Sequence, residues 1–134
     1  MISYHHDRPI TSEQFVDLLK RSTLAERRPV DQPERIDKML QHANLLITAW
    51  HNDELVGVSR ALTDFAFCCY VSDLAVDKNF QRQGIGKTLL DETQKQAGPQ
   101  TTLLLLAAPA AVNYYPRIGM QHFEHCFINP RKPQ

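Results

Sequence analysis

The sequence predicts an α/β fold built on a mixed sheet, and two observations carry that reading. Three apolar segments follow one another between Leu45 and Val76 with short polar turns between them, the pattern of an antiparallel meander. The next apolar segment, Thr102–Leu106, comes only after a helical crossover, which makes it parallel to its predecessor. A length of 134 residues suits one domain, read as 1–134, with a core that needs no disulfide staples.

The elements follow in order. Residues 2–6 read as a short edge strand ended by Pro9. Thr11 and Gln14 have the spacing of a capping box, and Phe15, Leu18, Leu19 and Ser22 share one face of the helix behind it. Pro29 breaks that helix, and Pro33 suits the first turn of a second, with Ile36, Met39, Leu40 and Ala43 inside. Leu45–Trp50 and Leu55–Leu62 form a hairpin around the polar turn His51–Glu54. Ala66–Val76 is apolar on both faces and so central. Strict alternation places Ala66, Cys68, Tyr70, Leu74 and Val76 on one face and Phe67, Cys69, Val71 and Ala75 on the other. A helix running to about Ala97 buries Ile85, Leu89, Thr93 and Ala97 and leaves Asp91 to pair with Lys95 outside. After Thr102–Leu106, the chain reads as a short helix Ala110–Ile118 ended by Gly119, then two last strands, Met120–Phe123 and Cys126–Ile128.

Charge and composition exclude several classes. Lys+Arg 15 balances Asp+Glu 15, which removes a generic nucleic-acid binder, because such affinity rests on cations that neutralise phosphates. The 43 % apolar and 22 % charged residues fit a globular chain, not a disordered one. No apolar run approaches the length of a membrane span, and the first residues lack the basic flank and apolar stretch of a signal peptide. With three cysteines, two of them adjacent at Cys68 and Cys69, a disulfide scaffold is not expected and a reducing cytoplasm is.

The chemistry concentrates between Leu74 and Thr88. A buried strand feeds a loop with two glycines, Gly84 and Gly86, which opens a helix. The first N–H groups of a helix lack internal partners and carry partial positive charge, so such a loop suits a phosphate or pyrophosphate. Arg82 and Lys87 add full charge. The dinucleotide fingerprint fails at Leu89, and the P-loop fails at Gln81, where its first glycine belongs. The pattern that fits is [QR]-x-x-G-x-[GA], filled by Gln81, Gly84 and Gly86.

With that loop, the approach strand Ser72–Val76 and the later Asn113-Tyr114-Tyr115-Pro116-Arg117-Ile118-Gly119-Met120, the chain resembles the GCN5-related N-acetyltransferase (GNAT) superfamily. The resemblance covers nearly the whole chain in element order. It implies a mixed, mostly antiparallel sheet with a splayed parallel strand pair and about four helices. It also implies acetyl-CoA as acyl donor and a small-molecule or peptide amine as acceptor, with no nucleic acid or membrane partner. Arg82, Gln83, Gly84, Ile85, Gly86, Lys87 and Thr88 would hold the CoA pyrophosphate. The backbone of Leu74, Ala75 and Val76 would pair with the pantetheine arm and polarise the thioester carbonyl. Tyr115 would protonate the departing thiolate, as a phenol with a pKa near 10 can. A homodimer through late strands is compatible with the resemblance. The chain departs from the family pattern at Ala108, where many members have Asn, and at Pro116, which has no N–H to donate.

Other polar residues admit two readings. Asp73, the lone charge of its strand, reads as a general base or an orienter of the water that deprotonates the amine; it reads equally as a strand-end carboxylate bonded to backbone N–H groups. Tyr115 reads as a core aromatic as well as an acid, and its neighbour Tyr114 as a core aromatic. The six histidines are scattered, and His122 and His125 would point to opposite strand faces, which is no zinc pattern. Cys68 and Cys69 read as packing residues. Lys20-Arg21 and Arg27-Arg28 read as a solvated helix face, or as a contact for an acidic substrate or partner. A non-catalytic acyl-CoA-binding module is the rival reading of the whole chain.

Overall fold

Thr11 begins the first helix through the expected capping box. Its hydroxyl accepts the Gln14 backbone N–H at 3.1 Å, and the Gln14 side chain accepts the Thr11 N–H at 2.8 Å. The computed structural model describes residues 1–133. Helices α1 (Ser12–Arg21) and α2 (Pro33–His42) follow strand β1 (Ile2–His5) and lie together on one side of the sheet. The meander is β2 (Leu45–His51), β3 (Glu54–Thr63) and β4 (Cys68–Val76). Helix α3 (Ile85–Ala97) crosses over to β5 (Thr102–Leu105). The sheet order is β1-β2-β3-β4-β5, antiparallel throughout except for the parallel pair β4–β5.

Each face of this sheet carries its own core. On one face, Leu45, Ile47, Val56, Cys69 and Val71 pack under Ile85, Leu89, Leu90 and Ala97 of α3. On the other, Trp50, Leu55, Val58 and Ala75 pack under Phe15, Leu18 and Leu19 of α1 and Ile36 of α2. The predicted inner faces of α1 and α3 are therefore the observed ones.

Strand β4 departs from strict alternation. Arg60 of β3 lies opposite Asp73, but the next residue, Ala61, lies opposite Val71, so Ser72 is an extra residue with no partner on β3. Such a bulge shifts the side-chain phase by one. Cys69 and Val71 before it and Leu74 and Val76 after it all belong to the α3 side, while Ala75 belongs to the α1/α2 side. Alternation alone had put Leu74 and Val76 on the face opposite Val71. The start also moves, from Ala66 to Cys68, because Asp64 folds Ala66 and Phe67 into a turn by accepting their N–H groups at 2.9 and 2.7 Å.

The last part of the chain holds the largest differences. In place of one helix over 110–118, a 3-10 turn at Pro109–Ala111 precedes a single α turn, α4 (Tyr114–Arg117). Pro116 is the third residue of that turn, where the N–H has no intrahelical partner in any helix, so the proline neither kinks nor breaks it. The two predicted late strands do not form among the described residues. Each is only a few residues long, and Phe123, Phe127 and Ile128 are exposed. No helix among the described residues is long and apolar enough to cross a membrane.

Candidate active site

Strands β4 and β5 part company halfway along β4. Their parallel register runs from Cys68 opposite Thr102 to Val71 opposite Leu105, and then stops. Beyond the bulge, Asp73–Val76 continues as a strand paired with β3 alone, which leaves the other backbone edge of Leu74–Val76 open. A cleft of about 1150 Å³ fills the gap. Its walls are Leu74, Ala75 and Val76 on one side and Leu105, Leu106 and Ala108–Ala111 on the other, with Tyr115 at the α4 end.

The glycine loop leaves β4 at Asp77, whose carboxylate accepts the Asn79 N–H at 2.8 Å and fixes the 3-10 turn Lys78–Phe80. Gln81 donates its side-chain amide to the Val76 carbonyl at 3.0 Å, tying the loop back to the end of the strand. Arg82 and Gly84 both take positive φ, 65° and 80°, and Gly84 becomes the N-cap of α3 without a side chain to cap it. Thr88 returns both its N–H and its hydroxyl to the Gly84 carbonyl at 3.0 Å. The N–H groups before Thr88 have no partner inside the helix, the condition for an anion cradle. Of the loop residues only Gln81 lines the large cleft; Arg82–Thr88 stand beyond its end. Lys87 reaches Asp91 at 2.7 Å, so Asp91 pairs backward with Lys87 and not forward with Lys95.

Gly86 and the two tyrosines meet at this helix end. A Cβ on Gly86 would stand 2.7 Å from the Tyr114 hydroxyl, so the close approach of Tyr114 requires glycine there. Tyr114 and Tyr115 pack edge to face, with ring centroids 5.2 Å apart. Burial raises the Tyr115 phenol above its ordinary 10, with Tyr114 adding to the shift, so Tyr115 keeps its proton at neutral pH. Burial also raises Tyr114, opposed by the Lys87 backbone and charge. The C-terminus of α4 is a Schellman motif: Met120 N–H returns to the Tyr115 carbonyl at 3.1 Å and Gly119 N–H to that of Pro116 at 3.1 Å, with Gly119 at φ 95°. Gly119 thereby holds the backbone of Tyr115 in place.

Asp73 sits directly beneath the cleft and is 1 % exposed. Its partners are guanidinium groups, not backbone N–H groups: one oxygen takes Arg28 Nε and the other Arg60 Nε. The arginines also hold the bulge. Arg28 donates to the Ser72 carbonyl at 2.8 Å and Arg60 to the Ser72 hydroxyl at 3.0 Å. Arg60 reaches on to the Met39 carbonyl at 3.0 Å, pinning α2 to the sheet. Arg28 is thus turned inward and not part of a solvated face. Arg21 likewise spans from α1 to Asp77 and to the Leu55 carbonyl. Sequence reasoning missed Arg60 and the bulge. The available signal was a second lone charge, Arg60, in the apolar strand next to that of Asp73.

A mixed sheet opened between two parallel strands, with an uncapped glycine-bearing helix start beyond the gap, is the arrangement that the resemblance to acetyltransferases implies. The acetyltransferase (GNAT) domain family model matches residues 12–129. An uncharacterized N-acetyltransferase, ycf52, of the red alga Pyropia yezoensis is 31 % identical over 121 residues, covering 82 % of this chain and 68 % of the relative. The ycf52 N-acetyltransferase of Gracilaria tenuistipitata var. liui is 32 % identical over 96 residues, which is 69 % of this chain and 53 % of the relative. The chain thus spans about half the length of some curated relatives it matches. A crystal structure from meticillin-resistant Staphylococcus aureus, described as a probable acetyltransferase, shares the fold with a TM-score of 0.79 at 22 % identity, each chain fully covered. The chain belongs to the GNAT acetyltransferase family.

Proposed function

We propose that this chain, as one domain over residues 1–134, is an acetyl-CoA-dependent N-acetyltransferase that moves an acetyl group to a primary amine of a small molecule or peptide. One observation carries the reading: the open edge of Leu74–Val76 and Tyr115 face the same cleft, and the uncapped start of α3 lies beyond its end. These residues fit the donor. The N–H groups at the start of α3 that lack an intrahelical partner, with Arg82 beside them, would take the pyrophosphate. The backbone edge of Leu74–Val76 that faces away from β3, apart from the Val76 carbonyl held by Gln81, would take the pantetheine amide groups and the thioester oxygen. Acetyl-CoA supplies, when bound, the activated carbonyl carbon.

The residues of this chain do the rest. The amine nitrogen forms its new bond to that carbon as the carbon–sulfur bond breaks. Tyr115 delivers its phenolic proton to the leaving sulfur, and the raised pKa keeps that proton in place until it is needed. The amine's own proton leaves to solvent, and solvent returns a proton to the Tyr115 phenolate. Asp73 serves as the anchor of Arg28 and Arg60, because both of its oxygens are engaged and it has almost no exposure. Holding both substrates in one cleft supplies much of the acceleration.

The test is release of free CoA thiol from acetyl-CoA with a panel of amines, peptides and polyamines. Tyr115→Phe should lower kcat by roughly a hundredfold with acetyl-CoA binding intact. Tight CoA binding with no turnover of any acceptor would establish a non-catalytic module instead. ATP hydrolysis without CoA binding would sink both. The free thiols Cys68, Cys69 and Cys126 fit a cytoplasmic location, which fractionation tests. The free edge of β5 and the exposed Leu104 and Leu106 on and beside it are where we place a second copy; light scattering at the mass of a monomer would refute that.

A further inference from the structure

The cleft is strongly and unevenly charged. Arg27, Arg28, Arg35, Arg60 and Arg131 line it, and Glu26 is its one lining carboxylate among the described residues. Asp73 beneath it is shared by Arg28 and Arg60, so this cluster is short of one negative charge. A cation left without a counterion in a partly buried site is costly, and an incoming anion relieves that cost. Arg27 and Arg35 have no ion pair or side-chain hydrogen bond among the described residues, so their guanidinium forks are available. Arg35 also stands in the first turn of α2, at the positive end of the helix dipole, where a cation is disfavoured. Its place there serves neither the helix dipole nor any ion pair or side-chain hydrogen bond among the described residues.

We propose that the acceptor is a small primary amine that itself carries an anionic group, a carboxylate or a phosphate, and that Arg27 and Arg35 grip this group. The inference rests on the acyl-transfer reading above and adds the substrate class. Guanidinium forks match both anions bidentately. The same field acts on the other end of the acceptor. Neighbouring positive charge lowers the pKa of a bound ammonium, which favours the neutral amine that attack requires. Polyamines meet net repulsion here, with Glu26 as the one opposing carboxylate among the described lining residues. The cleft therefore selects its acceptor and readies it with one set of charges, and no dedicated base is needed.

The experiment uses the whole chain loaded with CoA. Calorimetry compares β-alanine with β-alaninamide, and phosphoethanolamine with ethanolamine; spermidine is the cationic control. The acid of at least one pair should bind about tenfold more tightly than its neutral partner, ~1.4 kcal/mol, and which pair does so distinguishes carboxylate from phosphate. Thiol release from acetyl-CoA should rank acceptors the same way. Arg35→Gln and Arg27→Gln should erase the preference and raise KM for the acid about tenfold. Melting temperature and KM for acetyl-CoA should stay as in the parent. Equal or tighter binding of the neutral partner or of spermidine, no binding of either acid, or a raised KM for acetyl-CoA in Arg35→Gln each overturns the charge selection. Failure of CoA itself to load, read in the first titration, instead overturns the acyl-transfer reading.

Discussion

The two faces of the sheet are built from different materials. Under α3 the buried surface is a continuous apolar layer, interrupted chiefly by the Thr93–Ser59 hydroxyl pair at 2.8 Å. Under α1 and α2 a comparable apolar layer gives way, at the cleft, to Asp73 with Arg28 and Arg60. The first face is held by area removed from water, which any well-packed hydrophobe can supply. The second is held partly by charge–charge contacts that tolerate no missing member. The ion-paired Arg28 and Arg60 line the cleft, so on that face charges that hold the fold also border the opening.

The sharpest way to break this contrast is to remove its centre. Asp73→Ala leaves two buried guanidinium groups without their carboxylate and should cost about 3–5 kcal/mol, read as a lower urea midpoint. A loss under about 1 kcal/mol would mean that the ionic face is held by packing like its opposite. Leu89→Ala, the matching lesion under α3, should cost about 2–5 kcal/mol by opening a cavity. Acceptor KM should survive that change at temperatures where the variant is folded, whereas Asp73→Ala should raise it.

Smaller lesions probe the junction of the two faces. Gly86→Ala drives a methyl into the Tyr114 hydroxyl and should weaken CoA binding about tenfold, roughly 1.4 kcal/mol, with little loss of stability. Isothermal titration with CoA reads it. Gly119→Ala forces alanine to φ 95° and should cost about 1 kcal/mol. Because Gly119 closes the motif that holds Tyr115, kcat should fall more than stability alone explains. The mildest test is acid. Three backbone N–H groups hold the Asp64 carboxyl at about 2, Phe67 foremost. A depressed pKa means that this stability is full above the unfolded value near 4 and fades as pH falls toward 2. Asp64→Asn should flatten that part of the acid unfolding curve.

The sequence carried the sheet order, the three long helices and the loop, because these rest on local periodicity and glycine placement. Thr11, Gln14, Phe15, Leu18 and Leu19 behave as their spacing says. It did not carry the partners of Asp73, because Arg28 lies 45 residues away and only the folded chain brings them together. The missing late strands show the other limit. A strand pattern at 120–128 predicts pairing competence, and pairing needs an edge within reach. Tyr115 and the glycine loop were legible as residues, but the gap between them was not. That gap comes from where β5 stops, at Leu105, which no motif encodes.

Ser72 has a consequence for how β4 tolerates change. Upstream of it, odd-numbered positions belong to the α3 layer; downstream, even-numbered ones do. A saturation scan of the strand should therefore record two alternating tolerance patterns that are out of step, with the seam at one serine. Deleting that serine would set Val71 and Asp73 in consecutive places opposite Ala61 and Arg60, a regular ladder, with Leu74, Ala75 and Val76 still on their present faces. The cost of that deletion falls instead on Arg28 and Arg60, which lose the Ser72 carbonyl and hydroxyl they donate to, whereas a one-residue insertion after Asp73 would turn the end of β4 over.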